Sequence, residues 1–181
     1  MDESIVVCSA CGGVNRLIQG RQPAAAKCGK CGRKLFSAHP ADVDGLIFDR
    51  HRTRGTLPLL VDVWAPWCGP CQMMAPAYEA AARELEPDIV LVKLNSDKEQ
   101  ATAAELGIRG IPTMILFRHG KEVARQSGAM SAGQIVRWAR TGPVCPGRRY
   151  VAASAFGRHR SGASHSRGPG VVAGPSLSAL R

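Results

Sequence analysis

Apolar positions between Leu57 and Thr141 follow two periods in turn. Leu57 to Trp64 (Leu-Pro-Leu-Leu-Val-Asp-Val-Trp) is a short run of branched apolar residues and predicts a buried strand. From Gln72 to Leu85, the residues Met74, Tyr78, Ala81, Ala82 and Leu85 recur at steps of three and four, the spacing of one helix face. Pro76 lies inside that helix and removes a backbone donor, so a kink is expected there. Ile89 to Leu94 predicts a second strand, and Glu99 to Leu106 a short helix closed by Gly107. Thr113 to Phe117 and Glu122 to Gln126 predict two strands joined across His119-Gly120 as a hairpin. Ser131 is placed to cap a last helix with Ile135 and Trp138 facing inward, stopped by Gly142-Pro143. Strands alternating with helices and then a hairpin specify an α/β fold with a mixed central sheet.

The flanking segments read differently. Seven cysteines sort by position: Cys8, Cys11, Cys28 and Cys31 crowd the start, Cys68 and Cys71 form a separate pair, and Cys145 stands alone. From Gly142 onward there are six arginines and no acidic residue, so this segment carries six of the ten excess positive charges. It is rich in Gly, Pro and Ser, its apolar residues have no period, and it cannot bury enough surface to offset ordering entropy. Three parts follow: a cysteine-rich module over residues 1–37, a globular domain over 38–141, and a disordered basic tail over 142–181. No apolar run reaches the roughly 18 residues of a spanning helix, so no membrane is expected. The start, Met1-Asp2-Glu3-Ser4, is acidic and lacks the basic and apolar regions of a secretory signal. A reducing, cytoplasmic setting is therefore expected, where cysteines bind metal or carry out redox chemistry instead of forming a scaffold.

Cys8-Ser9-Ala10-Cys11 and Cys28-Gly29-Lys30-Cys31 are two C-x-x-C turns with 16 residues between them. This is the spacing of a structural Cys₄ zinc ribbon, with Gly12 and Gly32 allowing each turn to close on one tetrahedral ion. A module of this size cannot build a sufficient core, so metal binding would supply folding free energy. Lys27, Lys30, Arg33 and Lys34 would offset the negative charge of four thiolates. Paired redox disulfides and an iron–sulfur cluster are the alternatives for the same four residues. Arg16 and Arg21 add to the basic character, but Phe36 is the single aromatic residue of the module. Base-stacking platforms are missing, so a solvated basic face is expected and nucleic acid is not.

In Trp67-Cys68-Gly69-Pro70-Cys71 a strand gives way to a helix at a third C-x-x-C. Cys68 would sit at the helix N-terminus, where unpaired N–H groups and the macrodipole favour a thiolate. Cys71 follows within one turn, near enough to close a small disulfide ring, and Pro70 suits the first turn. A second zinc site would need two more ligands, and His51 and His119 do not form a closely spaced pair. Trp64-Ala65-Pro66-Trp67-Cys68-Gly69-Pro70-Cys71 resembles the active-site signature of the thioredoxin family, and the similarity runs over roughly Leu57 to Ala139. Asp62 matches the family's buried aspartate, Lys93 its partner lysine and Pro76 its helix-kinking proline. Ile111-Pro112-Thr113 matches the loop whose proline is cis and faces the active site, and Gly120 and Gly128 match glycines of the later strands. With the Cys₄ module in front, the chain is similar to the zinc-containing thioredoxin 2 subfamily.

The resemblance implies a thioredoxin fold and a protein-disulfide reductase. Cys68 would be the attacking thiol and Cys71 the resolving one, more buried and less ionised. Asp62, its proton affinity raised by burial, would assist proton transfer near Cys71, or else be a structural carboxylate paired with Lys93. Trp67 would shield the thiols, Gly69 and Pro70 would shape the turn, and Ile111 and Pro112 would bind an extended substrate. Trp64, Phe117 and Trp138 are read as core. One structural Zn²⁺ and no organic cofactor are expected. The implied partners of a monomeric chain are an NADPH-dependent thioredoxin reductase and disulfide-containing proteins. Gln72 departs from the Lys or Arg that many relatives carry after the second cysteine, Pro40 weakens the usual first strand, and the tail has no family counterpart. A reading from another class makes the ribbon primary, as a zinc-based redox switch or partner-binding module with little disulfide turnover.

Overall fold

The structure is a computed structural model that describes residues 4–18 and 22–142. These lie in one compact unit, Met1–Pro146. A second, Gly147–Arg181, lies outside the described residues, as do Cys145 and the expected disordered tail from residue 143 on. The chain opens with a hairpin of β1 (Ser4–Val7) and β2 (Val14–Leu17), paired antiparallel, followed by a single 3₁₀ turn at Pro23–Ala25. Then come β3 (Ala41–Asp42), α1 (Gly45–Arg54), β4 (Leu59–Trp64), α2 (Gly69–Leu85), β5 (Val90–Asn95) and α3 (Gln100–Glu105). The hairpin β6 (Thr113–Arg118) and β7 (Lys121–Ser127) and the helix α4 (Ala132–Thr141) complete it. Among the described residues, no helix is long and apolar enough to cross a membrane.

Strand order in the five-stranded sheet is β3-β5-β4-β6-β7. The first three are parallel, and β6 and β7 run antiparallel to their neighbours, which makes the sheet mixed as the alternation of elements requires. β3 is only two residues long, consistent with the weakening effect of Pro40. At the β6–β7 turn His119 and Gly120 both take positive φ, +50° and +77°, the geometry that matches hairpin twist. A Cβ on Gly120 would meet the Arg52 carbonyl at 3.0 Å, so the position suits glycine on two counts. α2 begins at Gly69, three residues earlier than its apolar period suggests, and continues through Pro76. Ser131 caps α4 as expected, and it does so in a capping box with Gln134, which the sequence-based expectation did not include.

Alternate residues of each strand feed two cores. On one face Leu60, Leu91, Met114 and Leu116 pack with Met74, Tyr78 and Leu85 of α2 and Ile135, Val136 and Ala139 of α4. Tyr78 reaches across that face to donate to the carbonyls of Leu60 and Val92, at 2.9 and 3.1 Å. On the other face Val61, Val63, Val92 and Phe117 join Phe48 of α1, which meets Phe117 edge-on at 5.7 Å between ring centres. That second core takes in Val6, Cys8, Cys28, Leu35 and Phe36 of the cysteine-rich segment. Polar contacts tie the same parts together. The Thr56 N–H donates to the Ile5 carbonyl and the Thr56 hydroxyl accepts the Ile5 N–H, Arg50 donates to the Gly12 carbonyl, and His51, buried in α1, lies 3.1 Å from the Ser9 hydroxyl. Burial holds the His51 ring down to about 4, so it is neutral at physiological pH.

Two tryptophans read as core differ from that expectation. Trp64 and Trp138 are half-buried at the rims of their clusters, whereas Phe117 is fully inside. The reason at Trp64 is polar: its indole N–H is directed at the Asp42 carboxylate instead of into the core.

Candidate redox and metal sites

β4 ends at Trp64, and after three residues Cys68 caps α2. Its sulfur accepts the Cys71 backbone N–H at 3.2 Å, and its carbonyl accepts that of Gln72 at 3.1 Å. Gly69 and Pro70 fill the first two helical positions, where neither a missing side chain nor a missing N–H removes a helical contact. Cys68 and Cys71 are joined by a disulfide with their Cα atoms 5.2 Å apart. Burial does not separate the two residues as the resemblance implies, for they are 4% and 3% exposed. What separates them is the helix terminus, since the Cys68 sulfur is the one that receives an N–H. Ala65 packs with the pair, and Trp64 and Ile111 close over it. Trp67 is 71% exposed and donates to the Asp97 carboxylate at 2.8 Å. The Gln72 amide folds back onto the Pro66 carbonyl. The Ile111–Pro112 bond is cis, and the Pro112 carbonyl accepts the Gly128 N–H at 2.9 Å, pinning the loop to the end of β7.

Asp62 stands in the middle of β4, 1% exposed, with its Oδ1 lacking a hydrogen-bond partner. Lys93 is its register partner on β5, yet among the described residues no ion pair joins them. The ammonium lies over the Trp64 ring, 3.9 Å from its centre. Burial pushes the Asp62 carboxyl up from 3.8 to about 7; the positive charge of Lys93 opposes this and the negative charge of Asp42 adds to it. Because the folded value lies above the unfolded one, the stability tied to this proton is complete below about 3.8 and is lost as pH rises through about 7. Asp62→Asn in the oxidised chain is therefore expected to stabilise more at pH 8.5 than at pH 5, by about 2–3 kcal/mol. Urea unfolding at the two pH values checks this; an equal effect at both would contradict it.

The four N-terminal cysteines occupy two matching knuckles. Cys8 N–H donates to Gly13 and Gly12 N–H to Cys8; Cys28 N–H donates to Arg33 and Gly32 N–H to Cys28, all at 2.8–2.9 Å. Gly12 and Gly32 both sit at positive φ, +66° and +72°. The turns bring all four sulfurs within 4.8 Å of one another. Cys8 and Cys31, and likewise Cys11 and Cys28, are 3.7 Å apart, against about 3.8 Å between sulfurs around a tetrahedral ion with 2.3 Å bonds. The set can hold a metal ion. Burial opposes ionisation of Cys28, but the N–H groups of Cys31 and Lys30 and the Asn15 amide overcome it and lower the thiol to about 6. Cys8 goes the other way, its burial raising it to about 12. Asn15 also accepts the Gly29 N–H at 2.8 Å and donates to the Gly13 carbonyl at 2.8 Å, linking both knuckles.

Three residues of these sites carry no motif: Asp42, Asp97 and Asn15. Their roles arise from pairings 22, 30 and 14 positions away in the chain, which no local pattern signals.

Comparison with known proteins gives one answer. A thioredoxin family profile matches residues 45–141. Thioredoxin C-3 of Corynebacterium nephridii is 34% identical over 134 residues, which is 74% of this chain and 92% of that one. A thioredoxin of Haemophilus influenzae is 41% identical over 100 residues, covering 55% of this chain and 91% of its own length. Among solved structures, a mutant thioredoxin from Halobacterium salinarum superposes with a TM-score of 0.53 at 31% identity, covering 60% of this chain and 96% of that one. The profile spans over half of the residues and the Cys68–Cys71 pair lies within it, so the chain belongs to the thioredoxin family of thiol–disulfide oxidoreductases.

Proposed function

We propose that this chain is a general protein-disulfide reductase of the cytoplasm, working through Cys68 and Cys71, and that its N-terminal segment is a zinc ribbon of the kind found in the thioredoxin 2 subfamily. The observation that carries the reading is the Cys68–Cys71 disulfide at the capped start of α2. In the reduced chain the Cys68 thiolate attacks one sulfur of a substrate disulfide and displaces the other as a thiolate, leaving a mixed disulfide. Cys71 then gives up its proton, with Asp62 as acceptor, and attacks the Cys68 sulfur. The second substrate thiolate leaves, two electrons have passed to the substrate, and the internal disulfide has formed. A thioredoxin reductase using NADPH restores the dithiol. Ile111 and Pro112 form the edge against which an extended substrate segment is held, with Trp67 beside the opening.

Cys8, Cys11, Cys28 and Cys31 would hold one Zn²⁺, and the sulfur spacing of 3.7 Å supports the fit. The ion would cross-link the two knuckles and contribute folding free energy. The length of the Corynebacterium alignment, 134 residues, exceeds the stretch matched by the family profile and supports a relationship that reaches beyond the sheet. The division at residues 37 and 141 belongs to the same reading.

The test is insulin reduction driven by dithiothreitol, on the intact protein with its zinc measured beforehand. One zinc per chain and precipitation well ahead of dithiothreitol alone are expected, with the metal lost when residues 1–37 are removed. Absence of acceleration would overturn the reductase and favour a ribbon that acts as a switch or binding module. Metal surviving the deletion would overturn the ligand assignment.

A further inference from the structure

A row of charge crosses the sheet beside the redox pair. Asp42 of β3, Lys93 of β5 and Asp62 of β4 are Cα partners on adjacent strands, so their side chains leave the same face. Lys93 stands between two carboxylates. Its ammonium pairs with neither among the described ion pairs and rests over Trp64 instead. Trp64 lies two positions beyond Asp62 on β4, hence on that same face, and its Nε1 donates to Asp42 Oδ1 at 2.9 Å. The ring so held packs against the cluster of Cys68 and Cys71. One exposed carboxylate thus anchors the indole on which the lysine rests and which packs against the cluster of Ala65, Cys68 and Cys71.

The alternative placement of Lys93 is on Asp62, its Cα partner on the adjacent strand, whose carboxyl already feels the lysine charge. Asp62 has a buried oxygen without a partner, and an ammonium arriving there would pair with it and keep it ionised. Attraction to an indole face is about 0.5–1 kcal/mol at an exposed site, so a ring free to tilt would compete poorly with a buried carboxylate. Resting on the reading of Asp62 as proton acceptor for Cys71, we infer that Asp42 is a positioning residue of this reaction: by anchoring the Trp64 indole it keeps the Lys93 ammonium on the ring and off the Asp62 carboxyl.

Other groups near Asp62 are few. α2 brings Tyr78, whose hydroxyl is engaged with the Leu60 and Val92 carbonyls, and the Cys68–Cys71 pair. α4 contributes apolar Ile135, Val136 and Ala139 to this face, and the β6 partner of Asp62 is Met114. Lys93 and Asp42 are therefore the charges that set its protonation, and Asp42 acts twice, directly and through the lysine.

The experiment is a carboxyl ¹³C titration of Asp62 in the oxidised, full-length chain. Asp42→Asn keeps an acceptor for the indole and removes the charge. Its midpoint is expected to fall by about half a pH unit, about threefold in proton affinity, and the shift should shrink in 1 M salt because Asp42 is exposed. Asp42→Ala also frees the ring, and a fall of about one unit, tenfold in affinity, is expected. In a Lys93→Met background the two Asp42 variants should titrate alike. An unchanged or raised midpoint in Asp42→Ala, or no difference from Asp42→Asn when Lys93 is present, would overturn the inference. Insulin turnover by the unsubstituted chain separates the causes. Titration without the expected shift but with turnover sinks the positioning role alone; absence of turnover sinks the reductase reading and this inference with it.

Discussion

Removing residues 1–37 is expected to lower the thermal midpoint by at least about 10 °C while disulfide reduction survives. The cysteine-rich segment is not a free appendage: Val6, Leu35 and Phe36 are buried in the same core as Val43, Phe48, Leu57 and Leu59. Its loss uncovers one side of α1 and the start of β4, and leaves the buried His51 and the Arg50 guanidinium without their partners in the first knuckle. At about 1.5–3 kcal/mol for each large apolar side chain returned to water, the uncovered residues represent several kcal/mol. That is a large share of a typical 5–15 kcal/mol of stability. Reduction should continue, because every residue packed around Cys68 and Cys71 comes from the remaining chain. Differential scanning calorimetry of the reduced, zinc-loaded chain and the truncated one checks this. Identical midpoints would mean that the shared core contributes nothing.

The second large effect is on turnover. Cys68→Ser and Cys71→Ser should each reduce steady-state reduction of insulin by a reductase and NADPH by at least about a thousandfold, for different reasons. Without Cys68, the sulfur lost is the one that receives the N–H at the start of α2, and a serine hydroxyl is a far weaker nucleophile at neutral pH. Without Cys71 the first attack proceeds, but the mixed disulfide then waits for a thiol from solution. A resolving thiol held beside the bond has an effective concentration many orders of magnitude above that of a free one. The Cys₄ cluster does not replace either residue, for its four sulfurs are gathered on one another and Cys8 and Cys28 pack in a cluster separate from that of Cys68 and Cys71. Single-turnover kinetics separate the two failures. A Cys71→Ser chain with more than about a tenth of normal turnover would contradict the internal resolution step.

What the sequence displays depends on how local the cause is. β4, β5, the β6–β7 hairpin and α4 are legible because each carries its own period and its own stop signal, such as Gly120 in the turn or Ser131 at the cap. The cysteine motifs are legible for the same reason, since a C-x-x-C turn is a local object. α1 is not, because only Phe48 and His51 of its ten residues are buried, and part of what buries them is a segment some 40 residues earlier. β3 has two residues and exists through its register with Val92 and Lys93, which no pattern in Ala41-Asp42 announces. Asp42 and Trp64 illustrate the cost of reading residue types singly. A tryptophan beside a buried strand suggests core, and only the parallel pairing of β3 with β5 brings a carboxylate to its indole. Burial of Asp62 was legible from its apolar neighbours; the absence of an ion pair with Lys93 was not, because it depends on where the Trp64 ring lies.

The central claim is that Cys68 carries the substrate. The direct measurement is peptide mapping, by mass spectrometry under non-reducing conditions, of the covalent adduct formed when each single Cys→Ser chain meets a disulfide-containing protein. Cys71→Ser should yield a mixed disulfide on the peptide containing Cys68, stable until a reductant is added, and Cys68→Ser should yield none on Cys71. An adduct on Cys71 in the Cys68→Ser chain in equal amount, or no adduct on Cys68 in the Cys71→Ser chain, would contradict it.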